Sequence, residues 1–305
     1  MKVNISNLTT EQRNHKSIHS DQLSTSEIVA LMNEEDRSVA DAVHKVLPEI
    51  EAAIEAIYQS LKNNGRLFYI GAGTSGRIGI VDASECPPTF CTPPELVQAI
   101  MAGGETAMFK AVEGAEDSLE YGEIDLGQRG LTHLDVVVGL AASGRTPYVI
   151  GGLKYAKEVG AVTIALSCNQ NSEIGKIADY NIEAIVGPEF LSGSTRLKSA
   201  TAQKMILNMF TTTTMIKLGK VYGNLMVDLN ASNAKLVERA RNIVSTITGV
   251  SYEESAKVLN ETDQKVKPAI VMINANVSFK EAIEAIKHAN GFTRKAIELA
   301  NERKF

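Results

Sequence analysis

The chain has 305 residues, of which 44% are hydrophobic and 22% are charged, and its formal net charge is −5. These values are typical of a soluble globular protein with one large core or two modest ones. A negative balance without a basic block, together with the absence of Trp, argues against nucleic acid or an acidic membrane as a partner. The sequence shows neither a long apolar span nor an N-terminal signal pattern.

The three cysteines, Cys86, Cys91 and Cys168, have no metal-type spacing. An odd number of cysteines in a chain of this size suits free thiols in a reducing compartment. The sequence therefore predicts a cytoplasmic protein without a metal site.

The first 25 residues are polar and rich in Ser, Thr, Asn and Gln. They form either a mobile arm or an arm that becomes ordered over a partner subunit. Ser24 or Thr25 can cap a first helix, and a helical period over 39–61 is divided by Pro48. We therefore expect two helices before the first strand.

Strand-like and helical patterns alternate through the middle of the chain. Apolar runs predict strands at 67–70, 96–101, 135–141, 162–168 and 181–186. Helical patterns lie between them at 105–112, 118–127 and 147–159. This alternation predicts a three-layer α/β/α fold with a mostly parallel five-stranded sheet, whose weakest strand, the last, lies at an edge. Ligands of such sheets bind beyond the carboxyl ends of the strands.

A glycine-rich turn, GAGTSG, follows the first strand. Gly71, Gly73 and Gly76 match the dinucleotide pattern G-x-G-x-x-G, but the acidic residue expected about 20 residues later is replaced by a loop, so a dinucleotide is disfavoured. The P-loop pattern fails because no Gly-Lys-Ser/Thr follows. Glycine backbone, the hydroxyls of Thr74 and Ser75 and the start of a helix instead indicate a phosphate monoester site that includes Gly76.

A second turn of the same kind, AASGRTP, follows the 135–141 strand. Ser143, Gly144 and Thr146 are its candidate ligands for phosphate. Taken singly, each turn is better explained as an ordinary helix cap, since Ser and Thr are the usual capping residues. Two hydroxyl-rich turns at the carboxyl ends of one sheet favour a shared anion site.

These turns resemble those of the sugar isomerase (SIS) fold, a flavodoxin-like arrangement that binds phosphosugars. Longer strings resemble the N-acetylmuramic acid 6-phosphate etherase family, from about residue 20 to the end of the chain. The strings are GAGTSGRIGIVDASECPPTF at 71–90, AGGE at 102–105, AVEGAEDS at 111–118, AASGRTPYV at 141–149 and GNLMVD at 223–228.

This resemblance implies a lyase of bacterial cell-wall sugar recycling. The family removes the D-lactyl ether from carbon 3 of N-acetylmuramic acid 6-phosphate, giving N-acetylglucosamine 6-phosphate and D-lactate, without a cofactor. The family's catalytic glutamates fall on Glu85 and Glu116; the resemblance makes Glu85 the proton donor, which leaves Glu116 as the base. Two carboxyl groups in different protonation states suffice for this chemistry.

Each glutamate also has a simpler interpretation. Glu85 could be an ordinary surface acid, although the neighbouring Cys-Pro-Pro predicts a rigid, partly buried turn. Glu116 lies among Glu113, Asp117 and Glu120, and the residues alone do not choose between them.

Residues 187–219 begin with a Ser/Thr-rich segment and continue as an apolar helix. Ser192, Ser194 and Thr195 resemble a cap, and Arg196, Lys198 and Lys204 add positive charge. We place Ser194 and Lys204 among the candidate binding residues, because a substrate with a phosphate and a carboxylate needs cations. A solvated helix face explains the same charges equally well.

Residues 240–305 read as a small all-helical unit that resembles a ubiquitin-associated (UBA-like) three-helix fold. His288 within it is more typical of a structural residue than of a ligand. We predict an arm with helices at 1–50, a SIS catalytic domain at 51–220 and a helical region at 221–305.

Two other classes share these features, namely a phosphosugar isomerase and a non-catalytic phosphosugar sensor. An isomerase would also move the carbon 2 proton but would have no reason to expel lactate, and a sensor would not need Glu85 and Glu116 together. SIS sheets commonly pair, so we expect a homodimer with a small-molecule phosphosugar substrate.

Overall fold

A computed structural model describes residues 8–229 and 234–304. Two compact units make up the chain: Met1–Ser84 with Glu95–Thr211, and Glu85–Pro94 with Thr212–Phe305. Within the described residues, none of the helices combines the length and apolar character that a bilayer crossing requires.

The first unit is built on a five-stranded sheet. Its strands are β1 Leu67–Gly71, β2 Val97–Met101, β3 Val136–Leu140, β4 Val162–Ser167 and β5 Tyr180–Glu183. Their order is β2-β1-β3-β4-β5, and every neighbouring pair is parallel. All residues of β1 and β3 are buried, as expected for central parallel strands covered on both faces. The predicted five-stranded sheet and the edge position of its last strand are confirmed, although β5 is shorter than its predicted range.

Seven helices accompany this sheet in the described chain. They are α1 Thr25–His44, α2 Leu47–Lys62, α3 Gly73–Phe90, α4 Gly104–Phe109, α5 Leu119–Gln128, α6 Pro147–Val159 and α7 Lys198–Lys217. The last residues of α3 and of α7, from Glu85 and from Thr212 onward, belong to the second unit. Short 3-10 turns occur at Thr9–Glu11, His15–Ser17, Ser20–Gln22 and Ala115–Asp117. The core between the sheet and the helices includes Phe68, Ile70, Val137, Tyr148 and Leu153.

Local signals explain where several helices begin and end. Ser24 and Glu27 form a capping box at the start of α1, as the sequence predicts. The division between α1 and α2 falls before Pro48 rather than at it, because proline is tolerated in a first helical turn. The helix predicted at 105–112 ends at Phe109, so it is shorter than expected.

The N-terminal arm packs on its own chain from Leu8 onward. The Gly193 N–H donates to the Thr10 carbonyl at 3.1 Å, and the Ser17 hydroxyl donates to the Phe190 carbonyl at 2.6 Å. The described part of the arm is therefore not a free tail. Residues 1–7 lie outside the described residues.

The second unit contains helices and one short hairpin. The helices are α8 Ala234–Thr248, α9 Tyr252–Glu261, α10 Val266–Ala275, α11 Phe279–His288 and α12 Thr293–Glu302, and the hairpin pairs β6 Val221–Tyr222 with β7 Leu225–Met226. The helical stretch breaks between α11 and α12. Asn290 and Gly291 both have positive φ there, which ends a helix. The likeness to a UBA-like fold stays a prediction.

Candidate functional site

The first candidate phosphate loop joins β1 to α3. The chain turns sharply: a Cβ placed on Gly76 would lie 2.9 Å from the Gly71 carbonyl oxygen, so both positions suit glycine. Helix α3 begins at Gly73, and its first N–H groups have no partner within the helix. Ser75 is buried and Thr74 half-buried, and within the described chain neither hydroxyl forms a hydrogen bond. The loop therefore offers the donors that an anion needs.

The second candidate loop lies beside the first because β1 and β3 are paired in parallel, with Gly71 opposite Leu140. Ser143 is half-buried, and its Oγ accepts from the Arg145 N–H at 3.3 Å. Gly144 has a φ of +71°, and a Cβ there would collide with Ser172.

Helix α6 follows the second loop, with Thr146 as its N-terminal flanking residue. The strand order places both loops between β1 and β3, where the direction of winding reverses. This switch point is where ligands bind in open α/β sheets.

A cleft of about 370 Å³ opens beside the first loop. Its wall contains Gly73 from the loop and Glu116 from the 3-10 turn that follows Gly114. Glu116 is exposed to solvent. The other residues that line the cleft are Ala72, Arg77, Met101, Ala102, Ala107, Ala111, Val112, Glu113, Gly114 and Ala115. Of the two glutamates predicted to be catalytic, the described structure brings Glu116 next to the first loop.

Glu85 lies further along α3 and is exposed. The expectation that Cys86, Pro87 and Pro88 form a partly buried turn is wrong, because all three lie within the helix. Burial of Cys86 and Phe90 helps to hold this last stretch, and the Cys91 N–H closes it by donating to the Pro87 carbonyl at 2.9 Å. Glu85 is thus presented from a helix rather than from a loop.

The segment before α7 differs from its predicted form. The predicted cap of Ser192, Ser194 and Thr195 is wrong, since the buried carboxylate of Glu189 accepts from the backbone N–H groups of Lys198 and Ser199 at 2.8 and 2.9 Å. An acid at a helix N-terminus satisfies unpaired donors and complements the helix dipole.

The cations of this segment have different settings. Lys198 is buried and pairs with Glu35 at 2.8 Å, so it does not belong to a solvated face. Lys204 is exposed and Ser194 half-buried. In the described structure neither Ser194 nor Lys204 lines the cleft.

A buried acid that the sequence reading overlooked lies on α3, in the same string as Glu85. The Asp82 carboxylate accepts from the Tyr69 hydroxyl at 2.8 Å, the Asn208 amide at 2.7 Å and the Thr211 hydroxyl at 3.1 Å. Burial raises the pKa of Asp82, although these donors and the charge of Lys204 oppose the shift. Asp82 therefore joins β1, α3 and α7 within the first unit.

Asn169 is a second overlooked residue. Its amide donates to the Ala142 carbonyl at 3.0 Å and to the Thr10 hydroxyl at 3.1 Å, while its oxygen accepts from the Thr9 N–H at 2.7 Å. It thus connects the N-terminal arm to the residue before Ser143. Because Asn169 follows β4 closely, a search of all the carboxyl ends of strands could have found it.

No group of three or more His, Cys, Asp or Glu residues in the described ranges is arranged to hold a metal ion. The three cysteines are reduced thiols; Cys86 and Cys168 are buried and Cys91 is exposed. Burial raises the pKa of the Cys168 thiol to about 12, which makes it unreactive near neutral pH.

Two family models match this chain. The model described as the glucokinase regulatory protein N-terminal SIS domain matches residues 49–157, and the SIS domain model matches residues 127–213.

Curated relatives match almost the whole chain. An N-acetylmuramic acid 6-phosphate etherase of Clostridium beijerinckii is 54% identical over 97% of both chains. One from Bacillus cereus is 53% identical over 96% of this chain and 100% of its own. N-acetylmuramic acid 6-phosphate etherase 2 of Lactiplantibacillus plantarum is 55% identical over 97% of this chain and 100% of its own.

Solved structures are more distant. A phosphoheptose isomerase from Neisseria gonorrhoeae has a TM-score of 0.48 and 20% identity, covering 62% of this chain and 97% of its own. A phosphoheptose isomerase from Francisella tularensis has a TM-score of 0.45 and 15% identity, covering 62% of this chain and 99% of its own.

Proposed function

Because the chain belongs to the N-acetylmuramic acid 6-phosphate etherase family, we propose that it is a carbon–oxygen lyase acting on N-acetylmuramic acid 6-phosphate. The products are N-acetylglucosamine 6-phosphate and D-lactate, which places the reaction in cell-wall amino-sugar recycling. Similarity over nearly the full length of both chains is the observation that carries this conclusion. The cleft beside the first loop, with Glu116 in its wall, supplies a site for it.

The reaction is an elimination followed by a hydration. In the opened sugar, the aldehyde acidifies the proton on carbon 2. A base removes that proton, the electron pair forms the carbon 2–carbon 3 double bond, and the bond from carbon 3 to the lactyl oxygen breaks while an acid protonates that oxygen. Water then adds its oxygen at carbon 3 and returns a proton to carbon 2. Two carboxyl groups that exchange protons can perform both halves.

Glu116 is the proposed base and Glu85 the proposed acid. The family resemblance supports both residues and the acid role of Glu85, which leaves the base role to Glu116; the position of Glu116 in the cleft wall supports its access to substrate. Glu113 lies in the same wall, so Glu113→Gln is the natural control for a mere loss of negative charge.

The two loops are the proposed phosphate site. The residues assigned to it are Thr74, Ser75, Gly76, Ser143, Gly144 and Thr146, and Ser194 and Lys204 are further candidates. Adjacent loops at the switch point of the sheet, with N–H groups and hydroxyls available, support this assignment.

Substitution of the loop hydroxyls tests the phosphate site. We expect Ser75→Ala and Ser143→Ala each to weaken N-acetylglucosamine 6-phosphate binding by about 1–3 kcal/mol, the range for a hydrogen bond to a charged group. Thr201→Ala is the control, because its hydroxyl is exposed and already bonds the Leu197 carbonyl. The affinities are measured by calorimetry. If both serine variants bind the phosphosugar as tightly as the parent does, the phosphate binds elsewhere.

The proposed activity is tested by incubating the purified protein with N-acetylmuramic acid 6-phosphate and measuring D-lactate enzymatically. We expect equal amounts of D-lactate and N-acetylglucosamine 6-phosphate. A phosphosugar product formed without lactate would instead indicate an isomerase.

The domain division at 1–50, 51–220 and 221–305 is proposed with this function. Placement of both loops and of Glu116 within 51–220 supports it, as do the SIS matches. A cytoplasmic location is also proposed and is supported by the odd number of cysteines, none of which forms a disulfide in the described residues.

We further propose a homodimer. Exposed apolar side chains in the first unit, including Phe109 at 88% and Tyr121 at 55% exposure, support an interface there. Sedimentation at micromolar concentration should give twice the chain mass of 32.9 kDa. A sedimenting species with the mass of a single chain at micromolar concentration would contradict the dimer.

A further inference from the structure

Arg77 is held rigidly in the wall of the cleft. Its Nε donates to the Met108 carbonyl at 2.9 Å and its Nη2 donates to the Ala107 carbonyl at 2.7 Å. Both acceptors lie in the last turn of α4, where carbonyl groups lack partners within the helix. These two bonds use one edge of the guanidinium group and fix the orientation of its plane.

The adjoining edge of the same guanidinium, between Nη1 and Nη2, remains available. The group carries five N–H donors, so three are left after the two bonds to α4. In residues 8–229 and 234–304, no side chain or carbonyl accepts from these three, and no acid forms an ion pair with Arg77. The edge between Nη1 and Nη2 presents two parallel N–H groups, a geometry that matches both oxygens of a carboxylate.

The charge around the cleft makes Arg77 important for an anionic ligand. The other charged residues that line it, within the described chain, are Glu113 and Glu116, so Arg77 is its single cation. A carboxylate that enters beside two acids gains most from a partner that is already oriented, since little side-chain entropy is then lost.

We propose that Arg77 binds the carboxylate of the lactyl group, while the two loops bind the phosphate. This assignment rests on the proposed function, because it takes the lactyl sugar phosphate as substrate. Arg77 is then a specificity-determining residue: it distinguishes a substrate with a free lactyl carboxylate from one in which that group is absent or blocked.

The test pairs a change in the protein with a change in the ligand. The proteins are the parent, Arg77→Met and Arg77→Lys. The ligands are N-acetylmuramic acid 6-phosphate, its lactyl amide and N-acetylglucosamine 6-phosphate. The value of kcat/KM is measured for ligands that turn over, and calorimetric Kd for those that do not. Lys110→Met is the matched control, because Lys110 is an exposed cation next to α4 that does not line the cleft.

We expect Arg77→Met to weaken use of the acid substrate roughly 10- to 150-fold, the range for a hydrogen bond between charged groups. The lactyl amide and N-acetylglucosamine 6-phosphate should change less than about threefold, and Arg77→Lys should recover part of the loss. Lys110→Met should match the parent with all three ligands.

Two results would overturn the assignment. Equal losses for all three ligands would mean that Arg77 supports phosphate binding or the fold of α4, and unchanged values would mean that it has no ligand role. Failure of the proposed function is a separate outcome, in which the parent releases no lactate; the binding constants for acid and amide then still test Arg77.

Discussion

Glu116 and Glu85 have different local settings, which makes their proposed roles separable. Glu116 follows a left-handed Gly114 in a short turn on the cleft wall, whereas Glu85 is an exposed residue of α3. Removal of the carbon 2 proton does not require a protonated leaving group, but expulsion of lactate from an ether does. A base variant should therefore fail at the first step and an acid variant at the second.

We predict that Glu116→Gln lowers the rates of both carbon 2 proton exchange and lactate release by about 10²–10⁴-fold or more. Glu85→Gln should block lactate release yet retain slow exchange, because the base remains. Proton NMR of substrate in heavy water measures exchange and release together, with Glu113→Gln as the control. Exchange that survives in Glu116→Gln but is lost in Glu85→Gln would reverse the assignment.

The buried carboxyl group of Asp82 should make the stability of the protein depend on pH. Burial raises its pKa, so the folded protein binds this proton more tightly than the unfolded chain does. The free energy of unfolding then falls as pH rises from the unfolded value, about 3.9, through the folded value. We predict that Asp82→Asn gains stability relative to the parent as pH rises through that window, measured by urea unfolding from pH 4 to pH 7.

Asp135 is the control with the opposite sign. Burial acts to raise its pKa, but the Arg66 guanidinium at 2.7 Å and the Thr132 and Arg66 N–H groups outweigh burial and lower it. The Asp135 carboxylate stabilises the folded protein at pH values above its unfolded pKa, and this stabilisation is lost as pH falls through the lowered pKa of the folded state. Asp135→Asn should therefore lose stability relative to the parent as pH rises toward about 3.9 and change little above it, so the urea unfolding of this pair is extended below about pH 4. If the difference in the free energy of unfolding between Asp82→Asn and the parent does not vary with pH, burial does not raise the pKa of Asp82.

At the scale of elements, helices α5 and α6 approach so closely that glycine is required. A Cβ on Gly122 would overlap the Tyr148 carbonyl oxygen, and one on Gly151 would overlap the Leu119 carbonyl oxygen. The turn that carries Glu116 leads into α5, and the second candidate loop leads into α6. This contact therefore sets the position of the Glu116 turn relative to that loop.

We predict that Gly122→Ala destabilises the protein by about 1–3 kcal/mol, the usual cost of overpacking, and lowers kcat/KM. Gly127→Ala is the matched control on the same helix, since its new Cβ would meet only the end of the Tyr155 side chain at 3.3 Å. That variant should be neutral or slightly stabilised, because alanine is the better helix former. Thermal unfolding and kcat/KM are measured for both variants. If Gly122→Ala and Gly127→Ala change stability and activity by the same amount, the close α5–α6 contact has no special role.

The sequence predicted most of these elements because their signals are local. Apolar runs gave the five strands, and glycine and hydroxyl residues marked both loops at the carboxyl ends of β1 and β3. The burial of Lys198 and the cap from Glu189 were missed because both depend on partners distant in the chain. Arg77 stands within the quoted string GAGTSGRIGI, but its anchoring carbonyls belong to α4, 30 residues later, so its fixed orientation left no local pattern.

At the scale of the whole molecule, the proposed site uses the switch point of an α/β sheet for phosphate and an adjoining cleft for chemistry. In this proposal the phosphate supplies binding energy, Arg77 orients the lactyl group, and the two glutamates transfer protons. Such a division allows binding and proton transfer to be altered separately. The predictions for Ser75, Arg77 and Glu116 therefore have different signatures: weaker binding of every phosphosugar, weaker binding of the free acid alone, and loss of proton exchange.

The most direct test of the central claim, that the ether breaks between carbon 3 and the lactyl oxygen and that water takes the place of lactate, follows oxygen atoms through one turnover. The purified protein converts N-acetylmuramic acid 6-phosphate in water enriched in oxygen-18, and mass spectrometry reads both products, with N-acetylglucosamine 6-phosphate incubated alone to correct for exchange at the aldehyde. Elimination breaks the bond from carbon 3 to oxygen, so the account predicts one solvent oxygen at carbon 3 of the sugar and none in D-lactate. Solvent oxygen in the lactate with an unlabelled carbon 3 would contradict it.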